Sequence, residues 1–205
     1  MPHAIRCPRA TTCVLALSLL AAATARAADQ PTTTPARDVD ITYRVPTPTG
    51  AAPAEQRVRW DVAGGRQRID PPTPGLHIIV DTRTRHLASV RDAEQLALEI
   101  DEADIKPAAG AAPSYARRGT ATVAGLDCTV WQAGDAAGTP ELCFTDDGVL
   151  LRIVAAGQVV AEAVRVAYGP SNPADFEIPP GYRHLVRHQS PPTAPEPATP
   201  TTSTP

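Results

Sequence analysis

Aromatic side chains are scarce in this 205-residue chain, with two Phe, two Trp and four Tyr, and the only Met is the initiator. A core must therefore come from Val, Ile and Leu. The Met-rich and aromatic loops that often line an apolar cavity are missing. Lysine occurs once, at Lys106, so almost all positive charge is Arg. Catalytic signatures are missing too. No G-x-S-x-G elbow surrounds Ser89 or Ser114, no H-E-x-x-H or C-x-x-C occurs, and no Gly-rich loop has the spacing that cradles phosphate. These absences point away from an enzyme, and no catalytic residue, metal or cofactor is expected.

What is present begins with a leader. Arg6 and Arg9 precede an apolar run over 14–23, and Ala25-Arg26-Ala27 is a small-residue cleavage pattern. Residues 1–27 read as a secretory signal peptide, so the mature product is expected to be periplasmic or secreted. The apolar run is too short for a bilayer anchor, and no later stretch is long enough. No Cys follows the run at the cleavage point, which disfavours a lipid anchor. Cleavage removes Arg6, Arg9 and Arg26 from the 19 basic residues, leaving 16 against 22 acidic ones, about −6. Such a balance gives no electrostatic reason to bind nucleic acid or an anionic membrane.

Residues 28–37 are Pro-rich and without periodicity, and are expected to be flexible. From Asp38 the pattern is period 2. Val39, Ile41, Tyr43 and Val45 alternate with polar residues, as do Val58, Trp60 and Val62. Further strands are expected over 66–69, 76–80, 85–90, 95–101, 120–123, 127–133, 141–145, 149–155 and 160–168. Over 95–101 a short helix with Asp92 as N-cap is the weaker alternative. Asp146-Asp147-Gly148 is a hairpin turn. Val160, Val164, Val166 and Tyr168 are expected to share one face. Residues 102–119 form a long connector, suited to a mobile flap or short helix. Residues 176–182 make a compact apolar closing segment, and 189–205 a disordered Pro/Thr-rich tail. The folded unit, 38–188, is thus one mainly β domain: an antiparallel curled sheet or half-open barrel with loop or short helical cover.

Cys128 and Cys143 are the only thiols left after cleavage. On consecutive strands of an exported protein they are expected to form a disulfide, and a redox or metal role lacks the spacing it needs. His77, His86, His184 and His188 lack zinc-ligand spacing and read as solvated. Asp146 and Asp147 fit turn chemistry rather than a calcium loop. Arg57, Arg59, Arg66 and Arg68 can line one face of paired strands, either solvated or as an anion- or partner-docking strip.

Four stretches also resemble a known group. They are RRGTATVAGLDCTVW, ELCFTDDGVLLRI, VRVAYGP and FEIPPGYR, which include the patterns Thr120 to Trp131, Cys143 to Arg152 and Phe176 to Tyr182. They resemble an uncharacterised family of exported bacterial proteins with a domain of unknown function, itself similar to the LolA/LolB-like lipoprotein-localisation superfamily. The resemblance implies a half-open antiparallel barrel whose concave side is covered and, in well-studied members, holds acyl chains. It brings no catalytic residues. The expected function is a non-enzymatic binding protein holding an apolar or lipid-like ligand, with Val58, Trp60, Leu96, Leu98, Trp131, Leu151 and Val164 as cavity residues. The alternative is an envelope module that docks another protein through its Arg-rich face or a sheet edge.

Overall fold

The computed structural model describes residues 30–47, 51–101, 114–134 and 138–186. The leader, Lys106 with the rest of 102–113, His188 and the tail from 189 lie outside the described residues. The strands are β1 (Val39–Val45), β2 (Ala54–Asp61), β3 (Arg66–Asp70), β4 (Leu76–Asp81), β5 (His86–Arg91) and β6 (Leu96–Asp101). They continue as β7 (Tyr115–Val123), β8 (Leu126–Ala133), β9 (Glu141–Phe144), β10 (Leu150–Ala155), β11 (Gln158–Tyr168) and β12 (Arg183–Val186). All belong to one 12-stranded sheet in the order β12-β6-β5-β4-β3-β2-β1-β11-β10-β9-β8-β7.

The period-2 pattern becomes a two-faced surface because the register is unbroken from β1 to β6. Ile41 lies opposite Val58, Val58 opposite Ile69, and Ile69 opposite Ile78. Ile78 then faces Ser89, Ser89 faces Leu98, and Leu98 faces Leu185. Side chains opposite each other share a face. One row of mostly apolar side chains thus crosses seven strands.

The other half of the sheet is irregular. Register shifts fall at Thr42/Tyr43, Ile153/Val154, Leu150/Arg152 and Arg117/Gly119. Extra residues of this kind bend a strand and increase its twist, so the curl is concentrated here. β7 and β11 stand four positions apart in the sheet yet come within 8 Å. In a flat sheet they would be separated by roughly 19 Å, at about 4.8 Å per strand. Inside the curl, Val39, Ile41, Tyr43 and Val58 form one core with Val123, Cys128, Cys143, Val149, Leu151 and Ala163. The Cys128–Cys143 disulfide is formed within it.

The bulges correct one expectation. Val160 and Val164 are the residues skipped where β11 pairs with β10 and β1. Each is turned out of the alternation and is 40% and 37% exposed respectively. Val166 and Tyr168 instead pack against the core. Other strands extend further than period 2 predicts: β7 starts at Tyr115, which shortens the connector. β12 has no counterpart in the sequence pattern, and it pairs with β6 in parallel, the one such pair among the described strands. At Asp92–Glu94 there is a single 3₁₀ turn, after which 96–101 is strand.

The opposite face of β2–β6 carries the Arg strip, and the closing segment covers it. Arg59 donates to Asp70 (2.9 Å) and to Asp175 (2.5 Å). Arg68 donates to Asp70 and to the Asp175 carbonyl. Arg66 donates to Asp61, and Arg57 to Asp40. Burial raises the Asp70 carboxyl, but Arg68 and Arg59 outweigh it and hold the group below the usual carboxylate range. Each guanidinium named for a docking strip is paired with a carboxylate of its own chain.

Beside these pairs Ile79, Ala88, Val90 and Ala97 form a second core under Ile178 and Tyr182. His77 is buried at its edge, 3% exposed, with Nε2 unpartnered and Nδ1 3.8 Å from Asp92. This corrects the reading of His77 as solvated. His86 and His184 also have a partner, since both imidazoles contact the Glu99 carboxylate. Burial, with Arg68 adding to it, lowers the His77 pKa from 6.5. The unfolded chain therefore binds the proton more tightly, and stability falls as pH drops below about 6.5. His77→Gln is expected to flatten the fall in unfolding free energy between pH 7 and 5, by up to about 1.4 kcal/mol per pH unit. Parallel curves for parent and variant in urea melts would refute this.

Candidate functional site

The inner face becomes a site where the curled half meets the regular half. An open cleft of about 300 Å³ lies over β1, β2 and β3. Its floor is Ile41, Tyr43, Val58, Trp60 and Ile69, and Phe144, Leu150, Ile153 and Ala161 close the side. Gln56 and Gln67 add the polar edge. The volume is at the small end of ligand pockets, which run from about 300 to 1,000 Å³. β-Branched residues predominate on the floor because alternate positions of strands buried on one face favour them.

Tyr43 fixes the position of the side wall. Its hydroxyl donates to the Leu150 carbonyl at 2.6 Å, tying β1 to the start of β10. Burial pushes its ionisation far above the ordinary phenol range, so it stays neutral. The lining thus offers apolar surface and amide edges, with no charged side chain along it among the described residues. Such a site can hold an apolar group. Among the described residues no group of three His, Cys, Asp or Glu is placed to hold a metal.

The remaining wall comes from residues 30–37, which composition alone marks as a flexible lead-in. Thr33 and Pro35 line the cleft, and Pro35 is buried. The Ala36 amide donates to the Asp147 carbonyl at 2.9 Å. Arg37 donates to the Asp147 carboxylate at 3.1 Å and lies 3.7 Å over the Tyr168 ring. Asp147 also accepts from Thr145 (2.6 Å) and from the Tyr168 hydroxyl (3.2 Å). Burial would raise its carboxyl, but the hydrogen bonds from Thr145, Arg37 and Tyr168 outweigh it and lower the pKa. Gly148, at φ +87°, follows in the turn, and a Cβ there would overlap the Thr34 carbonyl oxygen. The Asp-Asp-Gly turn is a hairpin and also the anchor for this segment.

A second, more polar cleft of about 310 Å³ lies against the start of the segment. Gln30, Pro31 and Thr32 wall it on one side, and Arg117, Thr129, Trp131, Phe144 and Asp146 on the other. Arg117 donates to Thr129 and sits 6.0 Å from the Trp131 ring.

The sequence-derived cavity residues divide accordingly. Val58 and Trp60 line the apolar cleft, and Trp131 the polar one. By register Leu96 and Leu98 lie on the same inner face, half-buried and beyond the cleft. Leu151 is fully buried in the core, and Val164 is a bulge residue on the outside. The lining residues not foreseen include Thr33, Pro35, Gly148 and Ile153, besides Ile41, Tyr43, Ile69, Phe144 and Leu150. The first two come from a stretch without periodicity. A tight turn beside a Pro-rich lead-in carries no sign that the two meet.

No family model matches the sequence, and no curated protein does. Solved structures share its fold. An uncharacterised conserved protein from Thermus thermophilus matches 74% of this chain and 91% of its own, at 13% identity and a TM-score of 0.53. PNGF-II matches 74% at 10% identity and a TM-score of 0.50, and this chain spans 31% of it. The MucA/MucB complex of Pseudomonas aeruginosa gives 78% and 68% coverage, 15% identity and a TM-score of 0.46. The first two are likenesses of fold alone. The fold is mainly β and its sheet is not closed into a barrel, as expected of a curled sheet, though the parallel β12–β6 pair makes it mixed rather than wholly antiparallel. No helix among the described residues is long and apolar enough to cross a membrane.

Proposed function

We propose that this is an exported, non-enzymatic binding protein that holds an apolar or amphipathic, lipid-like group in the cleft over β1–β3. The observation that carries the reading is the lining itself. Trp60, Ile69, Val58 and Ile153 present apolar surface in a cleft with no charged side chain among the described residues. The half-buried row through Ile78 and Leu98 continues that surface outward. Export rests on the leader over 1–27 and fits the disulfide between Cys128 and Cys143. The likeness to the exported family rests on the four stretches that resemble it. The partner-docking alternative loses the Arg strip, whose guanidiniums are paired internally.

The test is native mass spectrometry of protein purified from its own envelope, with titration by N-phenyl-1-naphthylamine. Bound mass or saturable fluorescence is expected. Ile69→Gln puts an amide on the floor beside Gln67, and is expected to weaken the probe about tenfold or more. A bare mass together with no saturable binding would refute the reading.

A further inference from the structure

We infer that residues 30–36 are an internal occupant of the binding groove, which a ligand must displace, rather than a fixed wall of it. The inference rests on the binding reading above and concerns regulation of the same site. Both clefts are walled by this one segment. Thr33 and Pro35 bound the apolar cleft, Gln30 to Thr32 the polar one, and Phe144 lines both. Lifting the segment would join volumes of about 300 and 310 Å³ into one groove, running from Ile69 to Arg117.

The segment is built to be held lightly. Pro35 is the only buried residue among 30–37, and Thr32, Thr33 and Thr34 are exposed. Its hydrogen bonds converge on Asp147, through the Ala36 amide and the Arg37 guanidinium, and Arg37 also lies over the Tyr168 ring. Arg37 is itself 63% exposed, so its ion pair is weak and screened. The crossing point is nevertheless specific. Gly148 lets the Thr34 carbonyl approach the turn where any side chain would block it. A light but specific seat is what a reversible occupant requires. While seated, it lowers apparent affinity in proportion to the fraction of molecules that are closed.

The test uses the whole mature chain and its Arg37→Ala variant, whose side chain is 63% exposed and outside both cores; matching urea melts check that it folds. N-phenyl-1-naphthylamine affinity is measured by titration, and amide hydrogen exchange is followed over residues 30–36 with and without the probe. The expected result has two parts. Arg37→Ala tightens apparent affinity about threefold or more, and saturating probe speeds exchange in the parent at the Ala36 amide, the segment's one backbone donor to Asp147. If the parent binds the probe but either part fails, the segment is a wall; the inference is overturned while the binding reading stands. If neither protein binds the probe, both fall together.

Discussion

Leu151→Ala is expected to lower the unfolding free energy by about 3–5 kcal/mol. Leu151 is 0% exposed and packs in one cluster with Val39, Ile41, Cys128, Cys143 and Val149. Truncation removes buried methyl groups and leaves a void that the disulfide-tied strands around it cannot close by collapsing. Relaxation is limited, so the cost lies toward the upper part of the Leu-to-Ala range. Leu98→Ala is the contrast, because Leu98 is only half-buried, and about 1 kcal/mol is expected there. Chemical denaturation of both variants decides the matter. Equal losses at the two positions would mean that Leu151 is not the core residue described here.

The second large effect is that of the disulfide. Replacing Cys128 and Cys143 together by Ala is expected to cost about 3 kcal/mol. The bridge closes a loop with a sequence separation of 15 and joins β8 to β9, whose Cα atoms at these positions are 5.5 Å apart. Without it the unfolded chain gains freedom that the folded chain does not. The strands it joins belong to the bulged half, where ladder pairing is interrupted and covalent closure has most to add. Intact mass of the parent should be two hydrogens below the reduced value. Free thiols at both positions, or a loss under about 1 kcal/mol in the double variant, would contradict the assignment.

Much of the architecture was legible because it depends on local alternation. Val39 to Val45 and Leu96 to Asp101 show period 2 on their own, and Asp147-Gly148 marks a hairpin whatever surrounds it. Cys128 and Cys143 could be paired because they flank one short loop. What failed needed information from distant strands. Val160 and Val164 follow the alternation within β11, and only their partners on β10 and β1 reveal that each is skipped. β12 has four exposed residues and holds its place by pairing with β6. Of the site, the floor at Val58 and Trp60 was legible from strand pattern. Its lid-side wall was not, because Thr33 and Pro35 acquire meaning only from Gly148, more than a hundred positions away.

The placement of β1 has a consequence for how the chain matures. Strands β2 to β6 form a run of nearest-neighbour pairings, and so do β7 to β11. Both runs close short loops and are expected to form quickly. β1 alone joins them, with Val39 opposite Tyr168 and also opposite Trp60. Among the described strands it is the first to emerge during synthesis, yet one of its partners is the last long strand to be made. Until then it presents an unpaired apolar edge. Folding is therefore expected to be limited by this late non-local closure, and chains truncated before residue 168 should aggregate rather than fold to a smaller stable unit.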